Sequence, residues 1–274
     1  MNRDATIQRT VVRLILIAAA SVFALGCSKD LGPKFSLVWA DEFTGPAGQL
    51  PDSTKWTYDV GTGWGNAQLE YDTDHRPQNV SLDGAGHLAI TAIQESYNGQ
   101  GYTSGRITTR GLFQPTYGRI EARIQLPSGQ GLWPAFWLLG ANYPAVGWPQ
   151  CGEIDVMENV GSQPSWIFGS LHGPGYSGGN AVTQRYGLVN DRFDTGFHVF
   201  AVEWDPDHID WSVDGVSYQR ATSGGVSGPW VFDHPFAIIL NLAVGGTFPG
   251  APGAGTTFPQ AMLVDWVHVY GETN

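Results

Sequence analysis

Beyond an amino-terminal leader, no stretch of ten or more residues keeps an apolar period of 3.6, and without that period a chain has no helical core to build. The recurring period is 2. His87-Leu88-Ala89-Ile90-Thr91-Ala92-Ile93 alternates, and residues 118–126 place their apolar side chains at even positions. Residues 197–204 read the same way, and the chain closes on a further strand segment at 262–270. His208-Ile209-Asp210-Trp211-Ser212-Val213 runs into Asp214-Gly215, a hairpin signal, and leaves through Val216-Ser217-Tyr218. Alternation sends successive side chains to opposite faces of a sheet, so one face is buried and the other left for other work. Composition agrees: 37 glycines and 17 prolines supply turns, while 11 Trp, 10 Tyr and 13 Phe suit strands. Short strands with frequent turns predict an all-β sandwich or barrel. From Phe35 onward there is no linker, repeat or break in composition, so 35–274 reads as one domain.

The leader has its own logic. Arg3, Arg9 and Arg13 precede an apolar run from Leu14 to Leu25. At about 12 residues the run is short for a membrane span and suits an export signal. Gly26-Cys27 closes it, and the ending resembles a bacterial lipoprotein signal in which Cys27 becomes the lipidated first residue. Ala24 stands where that pattern usually has Leu, and ordinary cleavage nearby is the alternative. Residues 1–26 are thus expected to be a signal peptide and 27–34 a tether. The product is expected outside the cytoplasm, as a cell-envelope lipoprotein of the outer membrane or as a secreted protein. Its one membrane contact would be the lipid anchor, and it is expected to act as a monomer. Only Cys151 then remains, so the domain holds no disulfide and must stand on its core, with or without a metal. The formal charge of −11 argues against nucleic acid and anionic membrane surfaces and suits an uncharged substrate.

Charged residues are only 14% of the chain, yet Glu153-Ile154-Asp155-Val156-Met157-Glu158 holds three acids in six positions. As a strand, it puts Glu153 and Asp155 on one face and Ile154 and Val156 on the other. Glu158 follows Glu153 by five positions and would point to the wrong side. One extra residue, a β-bulge at Val156-Met157, returns it to the face of the other two. The glutamate Cα atoms would then lie about 13 Å apart. Side chains leaning inward over a concave sheet close that to about 5 Å, the spacing of retaining glycoside hydrolysis. An acid-rich strand by itself is more often a solvated face. The flanks tilt the balance: Trp133-Pro134-Ala135-Phe136-Trp137 and Trp148-Pro149 offer flat apolar rings of the kind that stack on sugars.

Residues 148–159, Trp-Pro-Gln-Cys-Gly-Glu-Ile-Asp-Val-Met-Glu-Asn, resemble the signature of glycoside hydrolase family 16, in its laminarinase-like (endo-1,3-β-glucanase) branch. Further blocks at 63–71, 104–107, 131–137, 171–173 and 240–246 fall in the family's order, so the resemblance covers essentially all of 35–274. It implies a β-jelly-roll sandwich of two antiparallel sheets, a concave cleft and retention of anomeric configuration. It implies Glu153 as nucleophile, Glu158 as general acid/base and Asp155 as the group that tunes them. Met157 is the residue by which this branch exceeds the shorter lichenase-type motif.

The resemblance also implies binding residues. Asn66 and Arg106 would hold sugar hydroxyls on the glycone side. Trp133, Trp137 and Trp148 would stack on rings, His172 would stand beside the catalytic pair, and Asn241 would line the cleft. Thr247 and Ala67-Gln68 depart from the usual pattern, which bears on fine specificity. A structural Ca²⁺ on the convex side would take the carbonyl oxygens of Glu42 and Gly86 together with a carbonyl and a carboxylate oxygen of Asp265, an oxygen-only set suited to that ion. The substrate expected is a laminarin-type β-glucan, cut by double displacement without a catalytic cofactor. The rivals are mixed-linkage β-1,3-1,4-glucan or another β-glycan, transglycosylation from the same intermediate, and a non-catalytic glucan-binding protein.

Overall fold

Alternating segments become strands wherever one side of the alternation can be buried. The computed structural model describes residues 35–273; the signal segment 1–26, Cys27 and the tether 27–34 lie outside them. In chain order the first strands are β1 (Phe35–Asp41), β2 (Thr57–Tyr58), β3 (Glu70–Asp72), β4 (Val80–Leu82), β5 (Leu88–Tyr97) and β6 (Gln100–Ser104). Then come β7 (Arg106–Thr108), β8 (Gly118–Gln125), β9 (Leu132–Gly140), β10 (Glu153–Glu158), β11 (Trp166–His172) and β12 (Val182–Gly187). The last are β13 (His198–Trp204), β14 (His208–Val213), β15 (Val216–Thr222), β16 (Phe236–Val244) and β17 (Gln260–Glu272). Among the described residues the one α-helix is the four-residue turn Tyr143–Val146, and no helix is long and apolar enough to cross a membrane.

The strands form two sheets. One has ten strands in the order β15-β14-β13-β8-β17-β5-β6-β3, with β1 joined to β17 and β4 to β5. The other has seven, ordered β12-β11-β10-β9-β16-β7-β2. All pairings are antiparallel except β3 with β6. The even positions of β8, Ile120, Ala122 and Ile124, are fully buried, as their alternation predicts. They join Phe200, Val202 and Trp204 of β13 in one core with Phe136 and Leu138 of β9, Ile154 of β10 and Leu240 of β16. The long strand β17 changes parity once. A bulge between Val264 and Trp266 lets Met262 and Val264 face the core before it and Val267 and Val269 after it.

The core therefore occupies one face of the seven-stranded sheet. The other face is free for polar side chains, and the acids are found there.

Candidate active site

Residues directly opposite one another on neighbouring strands point to the same side of a sheet. In the seven-stranded sheet one such row reads Phe168, Glu158, Ala135, Asn241, Arg106 across β11, β10, β9, β16 and β7. The row beside it holds Ser170, Asp155, Trp137 and Ile239, and the next holds His172, Glu153 and Leu139. Register alone thus gathers Glu153, Asp155, Glu158, His172, Trp137, Asn241 and Arg106 on the face away from the core.

Glu158 reaches that face through the bulge. The pairing of β10 slips between Asp155 and Met157 against β9, and between Asp155 and Glu158 against β11. Val156 and Met157 both drop into the core, at 2% and 0% exposure. Two consecutive residues pointing inward are what restore the outward phase.

The acids crowd one another. His172 Nε2 lies 3.0 Å from Asp155 Oδ2 and 3.8 Å from Glu153 Oε1. His172 Nδ1 accepts the backbone N–H of Gly178 at 3.1 Å. That bond leaves the ring proton on Nε2, facing the acids. Burial, and then the charge of Asp155, push Glu153 up to about 8. Burial raises Asp155 to about 7, against a contact with Glu153 that pulls it down. The two carboxylates in contact act as a pair sharing a proton. Glu158 is held well above the ordinary carboxylate range by burial, then by the charges of Asp155 and Glu153; His172 and the Trp133 hydrogen bond pull the other way. The Trp133 indole N–H donates to Glu158 Oε1 at 3.0 Å. The Phe248 ring packs edge-on against both Trp133 and Phe168, 5.3 Å from each, so an apolar wall stands beside Glu158.

Towards β7 the cleft is built on Arg106. Its guanidinium lies between Trp64 and Trp137, 4.7 and 4.8 Å from their ring centroids. Asp59 Oδ2 accepts its Nε–H at 3.0 Å and also binds Arg110. Asn241 Oδ1 accepts the Trp137 indole N–H at 2.8 Å. The expected platforms therefore differ in kind. Trp133 keeps only 8% of its exposure and spends its N–H on Glu158. Trp137 has one face covered by Arg106. Trp148 is 43% exposed and leans on His172, with centroids 5.9 Å apart. Asn66 is exposed, with φ 54°, and its carbonyl accepts the Thr247 N–H at 2.7 Å. A Cβ on Gly246 would sit 2.9 Å from that carbonyl, so glycine is needed there.

Trp64, Asp59, Phe168 and Phe248 were not singled out as site residues from the sequence. Trp64 lies in the 63–71 block, but nothing in the sequence ties it to a partner. Asp59 carries no local signal, because its partner Arg106 is 47 positions away.

The three expected calcium ligands are neighbours by register. Along one edge of β17, β5 pairs up to Val264 (with Leu88) and β1 begins at Val267 (with Asp41). Asp265 lies at that junction, Gly86 just before Leu88 and Glu42 just after Asp41. The oxygen-donor set is thus brought together, although the Asp265 carboxylate is already paired with Arg123 and that of Glu42 accepts from His268 Nε2 at 2.6 Å.

Two glutamates and an aspartate on the open face of a two-sheet sandwich, with a raised acid beside aromatic rings, define a carboxylate-based glycosidase. The chain belongs to glycosyl hydrolases family 16, whose model matches residues 64–268. It is similar to the beta-glucanase of Rhodothermus marinus, 42% identical over 281 residues that cover 98% of this chain and 96% of the relative. The laminarinase catalytic domain of Thermotoga maritima MSB8 superposes with a TM-score of 0.82 at 43% identity, covering 88% of this chain and 99% of that one. The laminarinase of Rhodothermus marinus gives 0.81 at 42%, covering 88% and 98%. The sandwich is the jelly roll expected.

Proposed function

We propose that this protein is an endo-β-1,3-glucanase that cleaves laminarin-type glucans with retention. The observation that carries the reading is the bulged strand β10, which presents Glu153 and Glu158 on one face with Asp155 between them. The names of the similar glucanases and laminarinases support the substrate.

Glu153, ionised, attacks the anomeric carbon. As the glycosidic C–O bond breaks, Glu158 gives its proton to the leaving oxygen, and a glycosyl ester forms on Glu153. Water then attacks the same carbon, its proton passes to Glu158, and Glu153 leaves as the carboxylate. Asp155 takes the shared proton and so lets Glu153 carry the charge. Arg106, stacked and ion-paired, is held rigid to meet hydroxyls of the glycone.

The test is product analysis on laminarin, lichenan and agar. Laminarin is expected to be cut internally, with the β-anomer formed first; a protein that leaves laminarin intact while cutting another glycan has a different substrate. Glu153→Ala is expected to abolish hydrolysis, and Glu158→Ala to cost about 10²–10⁴-fold in kcat. A Glu153→Ala variant with full activity refutes the mechanism.

Two further readings extend this one. Ca²⁺ at Glu42, Gly86 and Asp265 would tie β1 and β5 to β17 and serve stability rather than chemistry. Chelation is then expected to lower Tm while leaving kcat of the folded enzyme unchanged; a Tm indifferent to chelator and to added Ca²⁺ rules the ion out. The leader and Cys27 are read as an export signal with a lipid anchor, so Cys27→Ala is expected to release the enzyme from membranes.

A further inference from the structure

Two strands, β11 and β12, continue the catalytic face past β10 on the side away from Arg106. We propose that Arg185 and Trp166 on this edge form a binding site for the aglycone half of the glucan, the neutral glucosyl units on the leaving side of the cut bond. The assignment rests on the function proposed above, which lays the glycone over Arg106.

Pairing sets the place. Glu153 faces His172, so the period of β11 puts Trp166, Phe168, Ser170 and His172 on the catalytic side. Trp166 pairs with Gly187 and Phe168 with Arg185. Arg185, Phe168 and Glu158 thus form one row, with Arg185 about 10 Å from Glu158 at ordinary strand spacing. A Cβ on Gly187 would come 2.6 Å from the Trp166 ring, so glycine here lets the indole lie across β12. The guanidinium carbon of Arg185 sits 4.4 Å from the centroid of that ring, and Trp166 is still 38% exposed.

Pairing also sets Arg185 apart. Arg76, Arg106, Arg110, Arg119, Arg123, Arg192 and Arg220 each contact a carboxylate. Among the described residues Arg185 is the one arginine without such a partner, in a chain of formal charge −11. Its guanidinium rests on an aromatic face instead. Stacking fixes the plane of the guanidinium and leaves its N–H groups for hydroxyls, at a smaller entropic cost than a free side chain would incur. Arg106 on Trp64 and Trp137 is the same device at the other end of the cleft. A neutral sugar fits better than an anionic one, because Glu153, Asp155 and Glu158 share this face.

The experiment compares Arg185→Ala, Arg185→Lys and Trp166→Ala with wild type on two substrates. One is a laminari-oligosaccharide that extends past the cut bond. The other is an aryl β-laminaribioside, whose leaving group carries no sugar. The alanine variants are expected to lose about tenfold more kcat/KM on the oligosaccharide than on the aryl glycoside. They are also expected to divert less of the glycosyl intermediate to an added laminaribiose acceptor. Arg185→Lys, which keeps charge without the planar fork, should fall between. Equal losses on both substrates, or none on either, overturn the site while leaving the function standing. A wild type that does not cut laminarin overturns the function, and this site with it.

Discussion

In the mechanism proposed, Glu158 must hold a proton until the leaving oxygen takes it, and its neighbours favour the protonated form. Burial comes first, and the charges of Asp155 and Glu153 add to it. Activity is expected to fall in acid as the Glu153–Asp155 pair takes its second proton, and in alkali as Glu158 loses its own. Asp155 raises both glutamates by its charge. Once the shared proton is lost, the charge of Asp155 bears on Glu158, so Asp155→Asn is expected to move the alkaline limb of the kcat/KM profile to lower pH. An alkaline limb that stays in place in the variant refutes this account of Asp155. The single cysteine of the described residues, Cys151, is fully buried, and burial followed by the charge of Glu153 lifts its thiol to about 11. Alkylating reagents at neutral pH are expected to leave it unmodified and the enzyme fully active; rapid labelling of the native protein would contradict that burial.

At the scale of the element, the bulge in β10 is a phase device and can be tested as one. Inserting an alanine after Met157 adds a further residue and turns Glu158 toward the core; hydrolysis is expected to drop by about 10²–10⁴-fold. Deleting Met157 restores a strict period of 2 between Glu153 and the glutamate that follows and keeps the latter in the cleft. That variant loses a buried side chain, about 2–5 kcal/mol of stability, and should remain active at temperatures where a melt shows it folded. An insertion variant as active as wild type would show that the phase of Glu158 is not what the bulge provides. The same need for a phase change recurs at Asp265 in β17, where no alternation in the sequence marks it.

At the scale of the whole molecule, the buried acids Glu70 and Asp72 brace the glycone end against β16. Glu70 Oε2 accepts the Val244 N–H and Asp72 Oδ2 the Trp64 indole N–H, each at 2.8 Å. Burial is the first cause of the raised position of both, Glu70 reaching about 7. A carboxyl raised on folding contributes stability that is fully present below its unfolded pKa of 4.5 and is lost as pH climbs toward about 7. Glu70→Gln keeps an acceptor for Val244 and removes the ionisation. It is expected to raise Tm by a few degrees at pH 8 relative to its effect at pH 4, since 1 kcal/mol moves Tm by about 2–4 °C in a domain of this size. An identical Tm difference at both pH values contradicts this.

What the sequence determined by itself was whatever depends on period and local order. Alternation at 118–126 announced a strand, Glu153 and Asp155 had to share a face, and Glu158 needed one extra residue to join them. Those inferences hold because strand geometry repeats every two residues whatever surrounds it. What only the tertiary structure decided was which faces meet. Trp133 holds the acid and is not an open platform, and Trp137 is half taken by Arg106. Asp59 and Trp64 build the seat of Arg106 from distant parts of the chain, and among the described residues Arg185 has no carboxylate partner. Sheet order and register make those choices, and neither is written in any short stretch of the chain.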